Sequence, residues 1–270
     1  MFKTSMFDVN PYGLPMYEEY KFMKQAGFDS VMLGWRDDNR HEKPDKARNA
    51  GLLIENIHAP FKNGSSLWFD NLNGDEYMER LLTSIDDCRE YNIPTMVVHL
   101  CNANNAPPPN DTGIERLKRI AEKAERDNIN IAIENGYTPD DIHFVFDKIP
   151  SKKLGFCFDS SHQNYMTPNR DLLAEFGEYV MALHLSDNFG MPENITHEKG
   201  SIEWIRQVDV HLLPFEGNID WNKITRQLKN INYKGAIAFE CHSYDSEYTA
   251  EKYYAEAFSR ADKLWTMANI

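Results

Sequence analysis

The chain has 270 residues, 41% of them hydrophobic and 26% charged, with a formal net charge of −13. That length suits one large α/β domain, and no apolar run approaches the roughly 18 residues a membrane helix requires. The acidic balance argues against a polyanionic partner such as DNA, which is usually gripped by clustered Lys and Arg.

Taken in chain order, eight short apolar segments read as strands, at residues 3–7, 30–35, 53–58, 96–100, 129–134, 154–159, 180–185 and 236–240. Helical patterning lies between most of them. Residues 14–26 are closed by Gly27, a usual helix stop. Residues 76–91 place Met78, Leu81, Leu82 and Ile85 on one stripe, and residues 114–127 do the same with Leu117, Ile120, Ala121 and Ala124. A last helix covers residues 250–267. Regular strand–helix alternation specifies a parallel sheet. The first βα turn has no glycine-rich phosphate loop, and eight units favour closure. The expected fold is a single (β/α)8 TIM barrel spanning residues 1–270. A long loop at residues 188–209 follows the seventh strand, and its length suggests a lid. A homodimer or homotetramer fits a barrel of this size, although no residue pattern locates an interface.

Residues 1–10 contain no basic stretch followed by an apolar core, so no signal peptide is expected. Cys88, Cys101, Cys157 and Cys241 form no CxxC pair and read as buried, reduced thiols. The expected location is cytoplasmic, with no membrane partner.

Four of the strands end on a residue that binds metals: Glu134, Asp159, His184 and Glu240. Two places earlier stands a small residue in each case, Ala132, Cys157, Ala182 and Ala238. Side chains two apart share a strand face. Each strand therefore presents a ligand above a small inward residue, with bulk on the other side, and the ligands converge where barrel active sites sit, at the C-terminal face. Three facing carboxylates repel unless protonated or neutralised by a cation. Three oxygens and an imidazole suit one divalent ion, Mn, Mg, Co or Zn. His58, His99, His162, Asp209 and His211 form an outer set for substrate contact or additional metal, up to three Zn in all. Any one of these histidines alone could equally serve a backbone carbonyl.

Trp35 is placed at the barrel mouth, either as a pocket wall with Phe61 and Trp68 or as packing. Asp37-Asp38 and Asp86-Asp87 are expected to be solvated, His41, His143 and His197 to lie on the surface, and His242 near the site.

Six motifs in order, Ile57-His58-Ala59-Pro60-Phe61, Ile133-Glu134-Asn135, Phe158-Asp159-Ser160-Ser161-His162, Leu183-His184-Leu185-Ser186-Asp187-Asn188, Asp209-Val210-His211-Leu212-Leu213-Pro214 and Phe239-Glu240-Cys241, resemble the xylose isomerase-like barrel superfamily. This superfamily groups sugar and sugar-phosphate isomerases and epimerases with endonuclease IV-type repair enzymes. The resemblance implies a metal held by Glu134, Asp159, His184 and Glu240, with Glu134 and Glu240 as the acid/base pair and His162 on substrate oxygens. In the repair enzymes the positions of His58, His99, His162, Asp209 and His211 complete a three-zinc cluster, and all nine positions are retained here. Ketose 3-epimerases carry Glu and Arg where this chain has Asp140 and Gly190, which argues against that subfamily. The family turn Pro-Gly-Glu-Gly appears as Pro214-Phe215-Glu216-Gly217. The implied activity is isomerisation or epimerisation of a small sugar or sugar phosphate through an enediolate. The alternatives are phosphodiester hydrolysis and a metal-dependent dehydratase or lyase.

Overall fold

The computed structural model describes residues 3–36, 38–101, 107–136, 138–198, 201–242 and 248–268. The strands are β1 (Thr4–Phe7), β2 (Ser30–Gly34), β3 (Leu53–His58), β4 (Thr95–Val98), β5 (Asn130–Glu134), β6 (Leu154–Asp159), β7 (Val180–His184) and β8 (Ile237–Phe239). The helices, in chain order, are α1 (Met16–Ala26), α2 (Lys43–Asn49), α3 (Leu72–Glu90), α4 (Asp111–Asp127), α5 (Pro139–Lys148), α6 (Ser160–Met166), α7 (Leu172–Phe176), α8 (Ile202–Val208), α9 (Trp221–Asn230) and α10 (Ala250–Ala268). All eight expected strands are present. The β4 and β8 ladders are shorter than expected, leaving His99 and Glu240 just beyond their ends.

Every ladder is parallel, and the sheet runs β7-β6-β5-β4-β3-β2-β1-β8. Its two edges meet, because Leu185 N donates to the Ala238 carbonyl at 2.8 Å and Glu240 N to the Leu185 carbonyl at 3.1 Å. The cylinder is closed, as in a (β/α)8 barrel. Inside it, Val97, Ala132, Cys157 and Ala182 form a small separate apolar cluster beneath the C-terminal rim. The bulky alternates, among them Ile131, Ile133, Phe156, Phe158 and Leu183, join the main core.

Helix ends follow from local chemistry. Asn71 and Asn110 cap α3 and α4 by accepting from Gly74 N and Gly113 N. Gly27 stops α1 at φ +120, a conformation that penalises other residues. Between β2 and β3 the register slips by one residue at Val31/Met32, so Glu55 is extra and both it and Asn56 are buried.

Buried polar pairs tie the first units together. The Asp8 carboxylate accepts from Gly34 N at 2.7 Å and from the Tyr20 hydroxyl at 3.1 Å, and pairs with Lys43 Nζ at 2.9 Å. Glu19 accepts from Asn10 N at 2.7 Å and from the Tyr254 hydroxyl at 2.9 Å, joining α1 to α10. Burial, then the charge of Asp8, lifts the Glu19 carboxyl from 4.5 to about 8. Folded chain thus keeps a proton that unfolded chain sheds between these values, and stability falls as pH rises through that window. Glu19→Gln should flatten this slope, matching wild type at pH 4 and exceeding it at pH 8 by on the order of 3 kcal/mol in urea unfolding. An unchanged slope would assign the pH dependence to other groups.

Candidate metal centre and active site

The rim brings together all nine residues singled out from sequence. Ligand atoms of Glu134, Asp159, His184 and Glu240 lie within 4.8 Å of one another. So do those of His58, His99 and Glu134, and those of His162, Asp209 and His211. Glu134 belongs to two of the groups and stands at the centre. Its Oε2 is 3.0 Å from His184 Nδ1, 3.2 Å from His99 Nε2 and 3.4 Å from His58 Nε2, and its Oε1 is 3.2 Å from His162 Nδ1. His184 Nδ1 also lies 2.8 Å from Glu240 Oε2.

These contacts are close but poorly aligned. Glu134 Oε2, Asp159 Oδ2, Asp209 Oδ1 and both His184 nitrogens are buried without a hydrogen-bond partner among the described residues. Orphaned buried polar atoms are costly. Here they point at shared space, as ligands around an ion do.

Tautomers give an independent test. A carbonyl can only accept, so a ring nitrogen bonded to one must carry the proton. His58 Nδ1 donates to the Ala59 carbonyl at 2.9 Å, His162 Nδ1 to Asn135 at 3.0 Å and His211 Nδ1 to Glu240 at 2.9 Å. Each bond turns Nε2 inward, towards Glu134 for His58 and towards Asp209 for the other two. A backbone carbonyl holding one nitrogen while the other faces a ligand cluster is the usual support of a metal-binding histidine. The donor set therefore fits a divalent ion at the central group.

Local sequence explains the placement. Asp159 ends β6 and caps α6, its Oδ1 accepting from His162 N at 2.7 Å, so one residue fixes another three places on. Asn135 clamps the Asp159 backbone on both sides, accepting from its N at 2.7 Å and donating to its carbonyl at 3.0 Å. Phe7 supplies an apolar wall, its ring 6.1 Å from that of His58 and 6.5 Å from that of His184.

Electrostatics follow from crowding. Burial opposes ionisation of Glu134, but His99 and His184 outweigh it and hold the carboxyl well below its usual range. Asp159 is different: burial dominates and raises it to about 6. Burial penalises the charged forms of His162 and His184 too, yet Asp159 and Glu134 around the first, and Cys157, Glu134 and Glu240 around the second, hold both imidazoles well above 6.5. His211 reaches about 10 against the same penalty, because Asp209 faces it at 3.1 Å. Protons thus neutralise the acids where a dication would otherwise do so, and metal uptake has to displace them.

The loop after β7 is built around Asp187, which the sequence motifs contain but whose task they do not reveal. Its Oδ1 accepts from Asn188 N and Ile219 N, and its Oδ2 from Phe215 N and Trp221 Nε1, at 2.8–3.2 Å. Asp187 also pairs with Leu212 across a two-residue antiparallel bridge, steadying the segment that carries Asp209 and His211. Gly217 lies so close that a Cβ would sit 2.3 Å from Asp187 Oδ1. Phe215 takes φ +75, the left-handed conformation that the family glycine would adopt more easily. In the long loop, Trp204 and Val208 of α8 pack on Tyr165, with Ile195 against them.

Several expectations are corrected. Asp87 is buried, not solvated, because it accepts from Trp35 Nε1 at 2.7 Å. Trp35 is accordingly core packing rather than a pocket wall, and Trp68 is likewise buried, donating to the Leu100 carbonyl. Cys101 is only half-buried. His41 and His143 are exposed as expected, each with one aromatic neighbour, Trp35 at 5.8 Å and Phe176 at 4.2 Å between ring centroids. His242 does border the site, its ring 5.0 Å from that of His211. Asp140 is exposed and paired with Arg170. Asp37 lies outside the described residues.

Closed barrel and acid–imidazole rim together define the class, and the comparisons agree. The family model described as xylose isomerase-like TIM barrel matches residues 20–264, and the chain belongs to that family. An uncharacterized protein of Methanocaldococcus jannaschii is 26% identical over 200 residues, covering 68% of this chain and 63% of that one. Another, from Sinorhizobium fredii, is 29% identical over 124 residues, covering 46% of this chain and 35% of its own length. The matches thus span less than two thirds of either relative. Among solved structures, a D-tagatose 3-epimerase-like protein superposes with TM-score 0.77 at 19% identity, covering 99% of this chain and 98% of that one. An L-ribulose 3-epimerase gives 0.72 at 15%, covering 100% and 97%. A xylose isomerase domain protein from Alicyclobacillus acidocaldarius gives 0.75 at 16%, covering 100% of both. At these identities the likeness establishes the fold. Sugar epimerases and isomerases are thus the structural neighbours. No helix among the described residues is long and apolar enough to cross a membrane.

Asp187→Asn would set an amide N–H against backbone donors. It should cost about 3 kcal/mol of stability in urea unfolding, the usual penalty for breaking a buried charge-assisted network. A loss below about 0.5 kcal/mol, the size of an ordinary surface effect, would show that the turn stands without this carboxylate.

Proposed function

We propose that this chain is a divalent-metal-dependent isomerase or epimerase of a small sugar or sugar phosphate. The observation that carries the reading is the convergence of Glu134, Asp159, His184 and Glu240 within 4.8 Å at the barrel rim. Those four would hold the ion, which when bound polarises a substrate carbonyl and stabilises negative charge developing on its oxygen.

The remaining work falls to side chains. A hydrogen on carbon beside a carbonyl is barely acidic, so a positioned base must remove it and a positioned acid must return one. Glu134 comes from β5 and Glu240 from the end of β8, and both approach His184 Nδ1, at 3.0 and 2.8 Å. Two carboxylates arriving from different strands can address two faces of a flat enediolate. Returning the proton to the neighbouring carbon, with a hydroxyl proton passing from one enediolate oxygen to the other, transposes the carbonyl; returning it to the same carbon from the opposite face inverts a stereocentre. Phe7 and Phe61 would offer apolar surface beside the reacting carbon, and His162 would hydrogen-bond a substrate hydroxyl.

The experiment is a screen of ketoses, aldoses and their phosphates for deuterium incorporation from solvent, using metal-loaded protein. Glu134→Gln and Glu240→Gln should each lower exchange by about 1,000-fold or more while circular dichroism stays that of wild type. Exchange preserved in both variants would refute their assignment as base and acid.

One observation favours a second reading. The five other residues assemble into two further ligand groups, one sharing Glu134. Three zinc ions there would suit phosphodiester hydrolysis, which the net charge of −13 disfavours on a nucleic acid. Metal content separates the two. After dialysis, the sugar reading expects about one ion per chain, whereas about three would transfer the assignment to hydrolysis.

A further inference from the structure

We propose that Arg36 binds an anionic terminus of the substrate, so that the site selects sugars ending in phosphate or carboxylate over neutral ones. This rests on the sugar reading above and names the substrate class within it.

Arg36 stands two residues beyond β2, on a fixed base. Its neighbour Trp35 is buried, donates from the backbone to the His58 carbonyl at 2.9 Å and is pinned through its indole to Asp87. The Arg36 guanidinium carbon lies 5.8 Å from the Phe61 ring centroid. Phe61 in turn packs on His58 and His99, with centroids at 5.6 and 5.7 Å, and both imidazoles face Glu134. A single aromatic ring therefore separates the cation from the candidate metal centre. The guanidinium thus lies on the strand-three side of the rim, one ring out from His58 and His99.

Among the described residues no carboxylate lies within ion-pair distance of Arg36, whereas Lys43 is committed to Asp8 and Arg260 to Glu216 and Glu256. A guanidinium neighboured by an aromatic ring and not by a carboxylate keeps N–H donors available, and its fork matches phosphate and carboxylate geometry in two parallel bonds. The rim below is acidic, with Glu134, Asp159, Asp209 and Glu240. An anionic substrate would meet a cation at its far end, one ring away from the chemistry.

The test compares D-ribulose, D-ribulose 5-phosphate and D-fructuronate by calorimetry and solvent-deuterium exchange on metal-loaded wild type, Arg36→Gln and Arg36→Lys. Wild type should bind at least one acidic probe more tightly than D-ribulose by about tenfold to a hundredfold, the range of a charge-assisted pair. The arm showing the preference tells phosphate from carboxylate. Arg36→Gln should erase the preference while leaving D-ribulose binding unchanged, and Arg36→Lys should keep part of it. Equal binding of all three probes by wild type overturns the proposal. So does binding of none, or an equal loss for neutral and acidic probes in Arg36→Gln. Arg36-dependent binding without exchange on any probe would sink the isomerase reading and leave the anion site standing.

Discussion

Charge compensation at one rim is the constraint around which this barrel is organised. Four carboxylates and five imidazoles meet where β3 to β8 and the loops beyond them end, nearly all out of water. Uncompensated charge in such a place is expensive. His162 and His211, drawn above their ordinary range against burial by Asp159, Glu134 and Asp209, supply positive charge there. A bound dication would take the same atoms as ligands in place of those protons. The small interior layer of Val97, Ala132, Cys157 and Ala182 serves this arrangement, since bulky residues beneath the rim would push the ligands apart.

Much of this was legible in the chain because a strand repeats every two residues. Glu134 over Ala132, Asp159 over Cys157 and His184 over Ala182 declare a face, and three such strands side by side declare a cluster. What stayed hidden depends on partners distant in sequence. Asp87 reads as solvated beside Asp86 until Trp35, 52 positions away, is brought against it. The extra residue at Glu55 has no signature, because a bulge is fixed by how two strands pair and not by either alone. Arg36 had no motif at all, and its position over Phe61 exists only once β2 and β3 lie side by side.

The loop after β7 shows how a departure from a family pattern is absorbed. Phe215 occupies a left-handed position at φ +75 where the related turn has glycine, a strain of roughly 1–2 kcal/mol for a residue with a Cβ. Its amide is nevertheless held by Asp187, and Lys263 Nζ sits 3.9 Å above its ring. The turn keeps its shape because the hydrogen bonds to Asp187, and not the missing glycine, define it. Asp209 and His211 are thereby delivered to the rim as the family pattern would have them.

A physical criterion separates structural acids from ligating ones here better than position does. Asp187 is as deeply buried as Asp159, and both follow or end strands at the same face. Asp187 accepts four N–H groups, its two oxygens are fully occupied, and nothing remains with which to bind an ion. Asp8 and Asp87 are occupied in the same sense, by Gly34, Tyr20 and Lys43 and by Trp35. Asp159 spends one oxygen on capping α6 and leaves the other bare, while Glu134 and Asp209 each keep a bare oxygen facing imidazoles. Burial does not make this division; among these six acids, counting the lone pairs left over separates three that build the barrel from three turned towards its site.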